Sequence, residues 1–376
     1  MSALEDGAVG ALAGAAVGDA LGGATEGRSP EQIRQRYGGP VTGIVGPFLP
    51  DWRTSRPSAP YHKGDGHVTD DTLMTTMLVK VYQHKRDHLD AFDIDEHLVP
   101  LLLNERVWIP ELEQESVPLQ RVFLAEKWLA IRLYYGHVDP REAGVGNIVN
   151  CGAAMYMAPV GVANAGNPDG AYAEAIDISG AHQSSYGREA AGVYAAAVAE
   201  ALRPGATPSS IVDTCVRLAR DGTRDAIVAV TAAAAGLDGK DIAPLREAMA
   251  PFDTVGPEYR DPGRGARRPS RLHAIEELPV ALGALLATGG DYRGAVLAAV
   301  NYGRDADSIA TMVGSLCGAL HGIAAIPEDW RETVSRNSRL DLTTNGHTMA
   351  AVARDIYAKD RERVAARAAA FDALVA

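Results

Sequence analysis

Four glycines near the start of the chain limit how it can fold. Gly10, Gly14, Gly18 and Gly22 recur every four residues within segment 7–22, whose small apolar residues are typical of a helix. Residues four apart share one face of a helix, so these glycines form a stripe without side chains. Two interpretations remain open: a second backbone packs closely against the stripe, or the glycines belong to a functional site.

Helical periodicity continues along most of the chain. Many segments rich in Ala, Leu, Val and Met place apolar residues at three- and four-residue steps, which predicts helices. These segments are 71–85, 119–135, 187–202, 208–220, 223–236, 272–288, 291–301 and 306–321. Period-two alternation is rare, and the run 41–45 is too short to establish a sheet. We therefore predict an all-α fold.

Composition excludes several classes of protein. The formal net charge is 36 − 48 = −12, which disfavours binding to nucleic-acid backbones or to membrane surfaces. Cys151, Cys215 and Cys317 are too few and too scattered for a disulfide framework or a cysteine-based zinc site. Glu5 and Asp6 stand where a signal peptide would carry basic residues. We predict a cytoplasmic protein without a membrane span, and the sequence does not indicate its oligomeric state.

Two short acidic motifs carry the chemistry. Residues 69–72 read Thr-Asp-Asp-Thr, and residues 301–308 read Asn-Tyr-Gly-Arg-Asp-Ala-Asp-Ser. Each motif places two carboxylates and a hydroxyl where a helix should begin, and neither supplies a nearby basic residue to neutralise both acids. Either motif alone could be a helix cap. Four carboxylates brought together would repel unless they were protonated or bridged by cations, and such an oxygen set suits hard divalent ions.

Three segments resemble the ADP-ribosylglycohydrolase family and occur in the family's order. They are Gly-Asp-Ala-Leu-Gly at 18–22 with Glu26, Thr-Asp-Asp-Thr at 69–72, and Gly-Arg-Asp-Ala-Asp-Ser at 303–308 followed by Gly314 and Gly318. The resemblance implies a compact orthogonal helical bundle in one domain, residues 1–376, with a core at about 7–322 and a helical extension at 323–376. It also implies two divalent cations, Mg²⁺ or Mn²⁺, and hydrolysis of a glycosidic bond at the anomeric carbon of a ribose.

By position, the resemblance supplies the metal ligands and the catalytic residues. The implied ligands are Thr69, Asp70, Asp71, Asp305, Asp307 and Ser308, the last in place of the usual threonine. Glu26 is predicted to orient substrate or water. Asp71 or Asp307 could share proton transfer with their role as ligands. Asp19 is predicted to anchor its own loop by hydrogen bonds rather than to bind metal.

The segment 150–161 is similar to a glycine-rich loop of the family. The resemblance assigns substrate binding to Asn150, Cys151, Gly152 and Ala153, because backbone N–H groups of such a loop can cradle a diphosphate. Cys151 stands where glycine or asparagine is common. Tyr156 replaces an arginine, which makes a smaller ribosyl or nucleoside ligand more plausible than a full ADP-ribosyl group.

Two further residues are candidates for substrate contact, each with a structural alternative. His182 matches a family histidine in the turn before a long helix, where it would contact ribose or phosphate, or else cap the helix or fill the core. Tyr302 could stack on a base or simply pack in the core.

Three functions remain open. The first is removal of ADP-ribose from a protein side chain or a small-molecule acceptor. The second is hydrolysis of a free nucleoside, nucleotide or other ribosylated metabolite, which Tyr156 and the Pro- and Gly-rich loop at 38–66 favour. The third is a non-catalytic ADP-ribose-binding or crystallin-like protein. The retained acidic pairs argue against the third, because repelling acids have no evident structural use without metal.

Overall fold

Helices form nearly all the regular structure in a computed structural model that describes residues 1–54, 63–252 and 275–376. In chain order the helices are α1 (Ala3–Gly22), α2 (Pro30–Tyr37), α3 (Asp70–Lys85), α4 (Ala91–Asp93), α5 (Val99–Asn104), α6 (Leu124–Leu129), α7 (Ala158–Ala163), α8 (Pro168–Ser179), α9 (Ser185–Ala201), α10 (Pro208–Leu218), α11 (Asp221–Ala234), α12 (Leu245–Met249), α13 (Glu277–Ala287), α14 (Tyr292–Tyr302), α15 (Ala306–His321), α16 (Glu328–Ser338) and α17 (Thr344–Val375). The predicted all-α class is confirmed.

Most predicted segments match an observed helix, and the exceptions have local causes. The segment 119–135 divides into a short 3-10 turn, α6 and a π-helical turn at Ala130–Tyr135. Two strands of three residues, β1 (Val107–Ile109) and β2 (Gln114–Ser116), form an antiparallel hairpin that was not predicted, because runs this short give no periodic signal. The predicted helix start at 272 and part of the 38–66 loop lie outside the described residues. In the described parts, every helix is too short or too polar to cross a bilayer.

The glycine stripe of α1 packs directly against the backbone of α15. A Cβ atom built on Gly10 would lie 2.1 Å from the carbonyl oxygen of Gly318, and one on Gly18 would lie 2.1 Å from that of Ala310. No side chain fits at such distances, so the two helices touch through their main chains. This contact decides between the two interpretations of the stripe: the glycines serve close helix packing.

The pairing of α1 with α15 brings the two acidic motifs together. Both motifs lie at helix N-termini, because Thr69 is the N-cap of α3 and Asp305 is the N-cap of α15. The exposed N–H groups and the positive end of the helix dipole favour acidic residues at such positions. The two helix starts converge beside the C-terminal half of α1, which is buried along almost its whole length.

Candidate active site

Asp19 of α1 holds the first acidic motif in place. Its carboxylate accepts hydrogen bonds from the Thr69 backbone N–H at 2.9 Å and the Thr69 hydroxyl at 2.6 Å, and from the Thr72 backbone N–H at 3.2 Å and the Thr72 hydroxyl. Asp19 lies inside a helix rather than in a loop, so it anchors the start of α3 and not its own segment. Burial raises the pKa of Asp19 to about 6, against the opposing effect of these bonds.

A backbone bridge brings Glu26 to the second motif. The Gly27 N–H donates to the Arg304 carbonyl at 2.5 Å, and the Arg304 N–H donates to the Arg28 carbonyl at 2.9 Å. Gly303 makes this approach possible with φ of 71°, and a Cβ there would lie 2.1 Å from the Arg28 carbonyl oxygen. The bridge sets Glu26 directly beside Asp305.

Asp307 belongs to two groups of acids that could each hold a metal ion. Oxygens of Asp19, Asp71 and Asp307 lie within 4.8 Å of one another, and so do oxygens of Glu26, Asp305 and Asp307. A carboxylate shared by two groups can bridge two cations, as in dinuclear hydrolytic sites.

The hydroxyl residues of the two motifs lie close to Asp307. The Thr69 hydroxyl oxygen lies 3.4 Å from Asp307 Oδ2, and the Ser308 backbone N–H donates to Asp307 Oδ1 at 3.0 Å. The structure therefore places both hydroxyl residues of the implied ligand set next to this shared carboxylate.

Burial and mutual repulsion disfavour ionisation of these acids. Burial and then Asp307 raise the pKa of Asp71 well above its ordinary value, and burial and then Asp305 do the same for Asp307. Burial, followed by Glu277, raises the pKa of Asp305 to about 8. Asp71 Oδ1 is also buried without a hydrogen-bond partner. An all-oxygen cluster with an orphaned carboxylate oxygen fits a hard divalent cation.

Asp70 is paired with a basic residue that neither motif supplies. Arg121 Nη1 donates to Asp70 Oδ1 at 3.0 Å, and the Phe123 backbone N–H donates to Asp70 Oδ2 at 3.1 Å. The second guanidinium nitrogen of Arg121 lies 2.9 Å from Glu111 Oε1. The basic residue beside Asp70 therefore comes from outside both motifs, from a segment about 50 residues later in the chain.

A cavity of about 520 Å³ opens over the acidic cluster. Nine of the residues assigned from sequence line it, and they are Glu26, Asp70, Asp71, Asn150, Cys151, Gly152, Asp305, Asp307 and Ser308. Thr69 is buried beneath them. The two motifs, Glu26 and the start of segment 150–161, called the central loop from here on, therefore share one site.

The central loop forms one wall of this cavity. The Asn150 side chain accepts from the Gly152 N–H at 3.0 Å, and Cys151 Sγ lies 3.1 Å from Asp305 Oδ2. A Cβ on Gly152 would lie 2.4 Å from Glu126 Oε1, so any larger residue there would have to displace that carboxyl group. Ala153 is fully buried and does not line the cavity, so its assignment to substrate contact is revised.

Two other residues assigned to substrate binding lie in the core. His182 is fully buried, with Nε2 3.0 Å from the Ala125 carbonyl oxygen and Nδ1 3.0 Å from the Tyr156 hydroxyl. Burial lowers the pKa of His182 to about 4, so it is neutral at pH 7. Tyr302 is also buried, and its hydroxyl donates to Glu276 at 2.6 Å. We therefore revise both from substrate contact to support of the surrounding structure.

Glu126 is a cavity residue that sequence reasoning missed. It lies on α6, its carboxyl is almost fully buried, and Oε2 has no hydrogen-bond partner. Burial, followed by the charge of Asp70, raises the pKa of Glu126 to about 8. In the sequence it is one glutamate among many, outside any motif. Only the approach of α6 to Gly152 reveals it.

This all-α fold, with carboxylates around a cavity, is that of an enzyme that hydrolyses glycosyl bonds. More narrowly, the chain belongs to the ADP-ribosylglycohydrolase family, whose model matches residues 1–366.

The chain is similar to proteins of known sequence over most of its length. It is 26% identical over 359 residues to the uncharacterised protein YegU of Escherichia coli (strain K12), covering 95% of this chain and 98% of YegU. It is 25% identical over 338 residues to ADP-ribosylarginine hydrolase Tri1 of Pseudomonas putida (strain GB-1), covering 88% of this chain and 74% of Tri1. A chain of a solved ADP-ribosylglycohydrolase-related protein complex has the same fold, with a TM-score of 0.58 and 22% identity. The match covers 94% of this chain and 99% of that chain.

Proposed function

We propose that the chain is a metal-dependent hydrolase that removes ADP-ribose from an acceptor, and that arginine is the first acceptor to test. The shared position of Asp307 in two carboxylate groups is the observation that carries the proposal. The similarity to Tri1, named as an ADP-ribosylarginine hydrolase, supports the choice of acceptor.

The residues of the two motifs would hold the ions. Asp70, Asp71 and Asp307, with the Thr69 oxygen nearby, would hold one divalent cation, and Asp305, Asp307 and Ser308 would hold the other. We propose Mg²⁺ or Mn²⁺, because the cluster offers oxygen ligands. Bound cations of this kind lower the pKa of water and stabilise negative charge in the transition state.

The chain's own groups would position the substrate and move a proton. Glu26 stands beside Asp305 at the cavity floor, where its carboxylate can orient the ribose or accept a proton from the attacking water. Glycoside cleavage passes through an oxocarbenium-like state, and the negative charge of surrounding carboxylates would stabilise its positive charge. The wall formed by Asn150, Cys151 and Gly152 would hold the remainder of the nucleotide.

Two clefts meet at Glu26 and Asp305. Glu26 and Asp305 line the cavity described above and also a second, more open cleft of about 470 Å³. Arg28, Arg246 and Arg304 contribute to the second cleft. A glycosidic bond joins two groups, so a site between two clefts suits a substrate with bulk on both sides of the bond.

Hydrolysis of a free nucleoside or nucleotide is the second candidate. Its support is Tyr156, which is buried against His182. This position therefore places no positively charged side chain in the cavity to bind a diphosphate. Comparing turnover of ADP-ribosyl-arginine, ADP-ribosyl-serine and a nucleoside panel separates the two functions. Metal binding without turnover of any of them would favour a non-catalytic protein.

The metal site has a direct test. Calorimetry with Mn²⁺ compares the wild type with the double variant Asp305→Ala/Asp307→Ala, and we expect the variant to lose binding. The matched control is Glu362→Ala/Asp372→Ala, which removes the same formal charge from exposed positions of α17 and should bind normally. Unchanged affinity and stoichiometry in a folded Asp305→Ala/Asp307→Ala protein would refute the site.

The role of Glu26 has a separate test. Glu26→Gln keeps the size of the side chain but removes the proton acceptor. We expect turnover to fall by about 10²–10⁴-fold, the usual contribution of a general base. Full activity of the variant would remove Glu26 from the mechanism.

A further inference from the structure

Arg121 lies within the proposed metal site although it belongs to neither acidic motif. Its side chain is about 12% exposed and lines the 520 Å³ cavity together with Asp70 and Glu111. The guanidinium bridges these two carboxylates, at 3.0 Å from Asp70 Oδ1 and 2.9 Å from Glu111 Oε1. A positive charge therefore contacts Asp70, one of the carboxylates that the family resemblance assigns to metal binding.

Both oxygens of Asp70 are engaged in this arrangement. Oδ1 accepts from Arg121, and Oδ2 accepts from the Phe123 backbone N–H. The acids that do converge within 4.8 Å are Asp19, Asp71 and Asp307 in one group, and Glu26, Asp305 and Asp307 in another. Asp70 is the implied ligand whose carboxylate is directed to the protein's own donors instead.

A guanidinium and a divalent ion can compete when both approach one carboxylate. Each gains from proximity to Asp70, but the two cations repel each other at contact distance, and burial makes that repulsion stronger than in water. The pairing of Arg121 with Glu111 lets the guanidinium stay in place when no ion is bound.

We propose that Arg121 is a resident cation that competes with the divalent ion for Asp70, so that full metal loading requires its guanidinium to leave that carboxylate. This inference rests on the metal site of the proposed function. The guanidinium would stay paired with Glu111 after it leaves Asp70. Arg121 therefore sets how tightly the Asp70 position binds metal. It restrains cation binding there instead of orienting a ligand for it.

A double-mutant cycle on Asp70 and Arg121 tests the proposal through Mn²⁺ affinity measured by calorimetry. In Arg121→Gln the competitor is removed, and we expect Mn²⁺ to bind about tenfold more tightly. In the Asp70→Asn background the same change should have a much smaller effect, because the contested carboxylate is gone. Arg106→Gln is the control, since this exposed arginine precedes the same segment and donates to the Glu115 carbonyl.

Each other outcome overturns the inference. Weaker Mn²⁺ binding by Arg121→Gln would make Arg121 a positioning residue for Asp70. Equal tightening in the wild-type and Asp70→Asn backgrounds would show only a general loss of positive charge, without competition for this carboxylate. No Mn²⁺ binding by the wild type would refute the metal site itself, and this inference with it.

A second measurement does not depend on variants that fold. Crystals of the wild type grown with and without Mn²⁺ should differ at Arg121. We expect the guanidinium within hydrogen-bond distance of Asp70 without the ion, and beyond that distance when the ion is bound at Asp70. An ion on Asp70 with the Arg121 contact unchanged would overturn the competition.

Discussion

Asp19 accepts hydrogen bonds from both the backbone N–H and the hydroxyl of Thr69, at 2.9 and 2.6 Å. A buried residue of α1 thus fixes the first turn of α3, where the acids of the first motif begin. Because α1 also packs against α15, the same helix sets the position of both motifs. The geometry of the site therefore depends on a residue that we do not assign as a metal ligand.

Replacing Asp19 by Asn should loosen this arrangement. The amide can accept fewer hydrogen bonds than the carboxylate, so donors of Thr69 or Thr72 lose their partner, and we expect a loss of about 1–3 kcal/mol in the free energy of unfolding. Mn²⁺ affinity should fall as well, because a negative charge leaves the cluster. Chemical denaturation and calorimetry measure the two effects. Asp291→Asn is the control, since Asn caps a helix as well as Asp does; equal losses in both variants would contradict the special role of Asp19.

The contact between α1 and α15 should be destabilised by even one added methyl group. A Cβ on Gly18 would lie 2.1 Å from the Ala310 carbonyl oxygen and 2.6 Å from its carbonyl carbon, both main-chain atoms. We expect Gly18→Ala to lower the free energy of unfolding by about 2–3 kcal/mol. Urea denaturation measures the loss. Gly236→Ala provides the matched control, because no atom lies within 4 Å of the added carbon there, and comparable stability of the two variants would disprove the tight packing.

Gly152→Ala should damage catalysis more than metal binding. The added carbon would lie 2.4 Å from Glu126 Oε1 and 2.9 Å from Asn150 Oδ1, so the cavity wall must shift. We expect turnover to fall at least about tenfold, while Mn²⁺ affinity stays close to that of the wild type. Steady-state kinetics and calorimetry together give the result, with Gly236→Ala again as control. Wild-type turnover would show that this wall does not position substrate.

Stability should fall as pH rises from neutral through about 9, with His88 as one cause. Both ring nitrogens lie against carboxylates, Nδ1 at 2.5 Å from Glu174 and Nε2 at 3.0 Å from Asp360, so the protonated ring is favoured. The hydrogen bond to Glu174 is the largest cause that raises the pKa of His88, to about 9 from an ordinary value of 6.5. Its stabilisation is complete below the unfolded-state pKa and is lost as pH rises through the folded-state pKa.

The variant His88→Gln isolates this contribution. We expect the difference in unfolding free energy between wild type and variant to shrink by roughly 1–2 kcal/mol between pH 6.5 and 9.5, after allowance for solvent screening of a half-buried ring. Denaturation at a series of pH values measures it. A pH-independent difference would show that His88 does not titrate in this range.

The sequence predicted those parts of the site that are local in the chain. The glycine spacing offered a close helix contact as one of two interpretations, and the structure shows that contact. The two acidic motifs supplied carboxylates that lie around Asp307. Each of these signals lies within one helix or one helix start. Glu26 and Asp71, which the resemblance assigned to the site, both line the cavity.

The remaining residues depend on approaches between distant segments. Arg121 and Glu126 belong to no motif, and only the folded chain brings them to Asp70 and Gly152. His182 failed as a substrate contact for the converse reason, since its sequence neighbourhood is polar while its position in the fold is buried. The division into one domain with a C-terminal extension stays a prediction.

The distance along the chain between the two motifs has a consequence for protein synthesis. Thr69 and Asp307 are neighbours in the site although 238 residues separate them in sequence. When α1 and α3 have emerged from the ribosome, the helix that completes the acidic cluster has therefore not yet been synthesised. Until α15 emerges, the glycine face of α1 has no backbone to meet, and the nascent chain cannot assemble its hydrolytic centre. Hydrolytic activity therefore has to wait for the synthesis of α15.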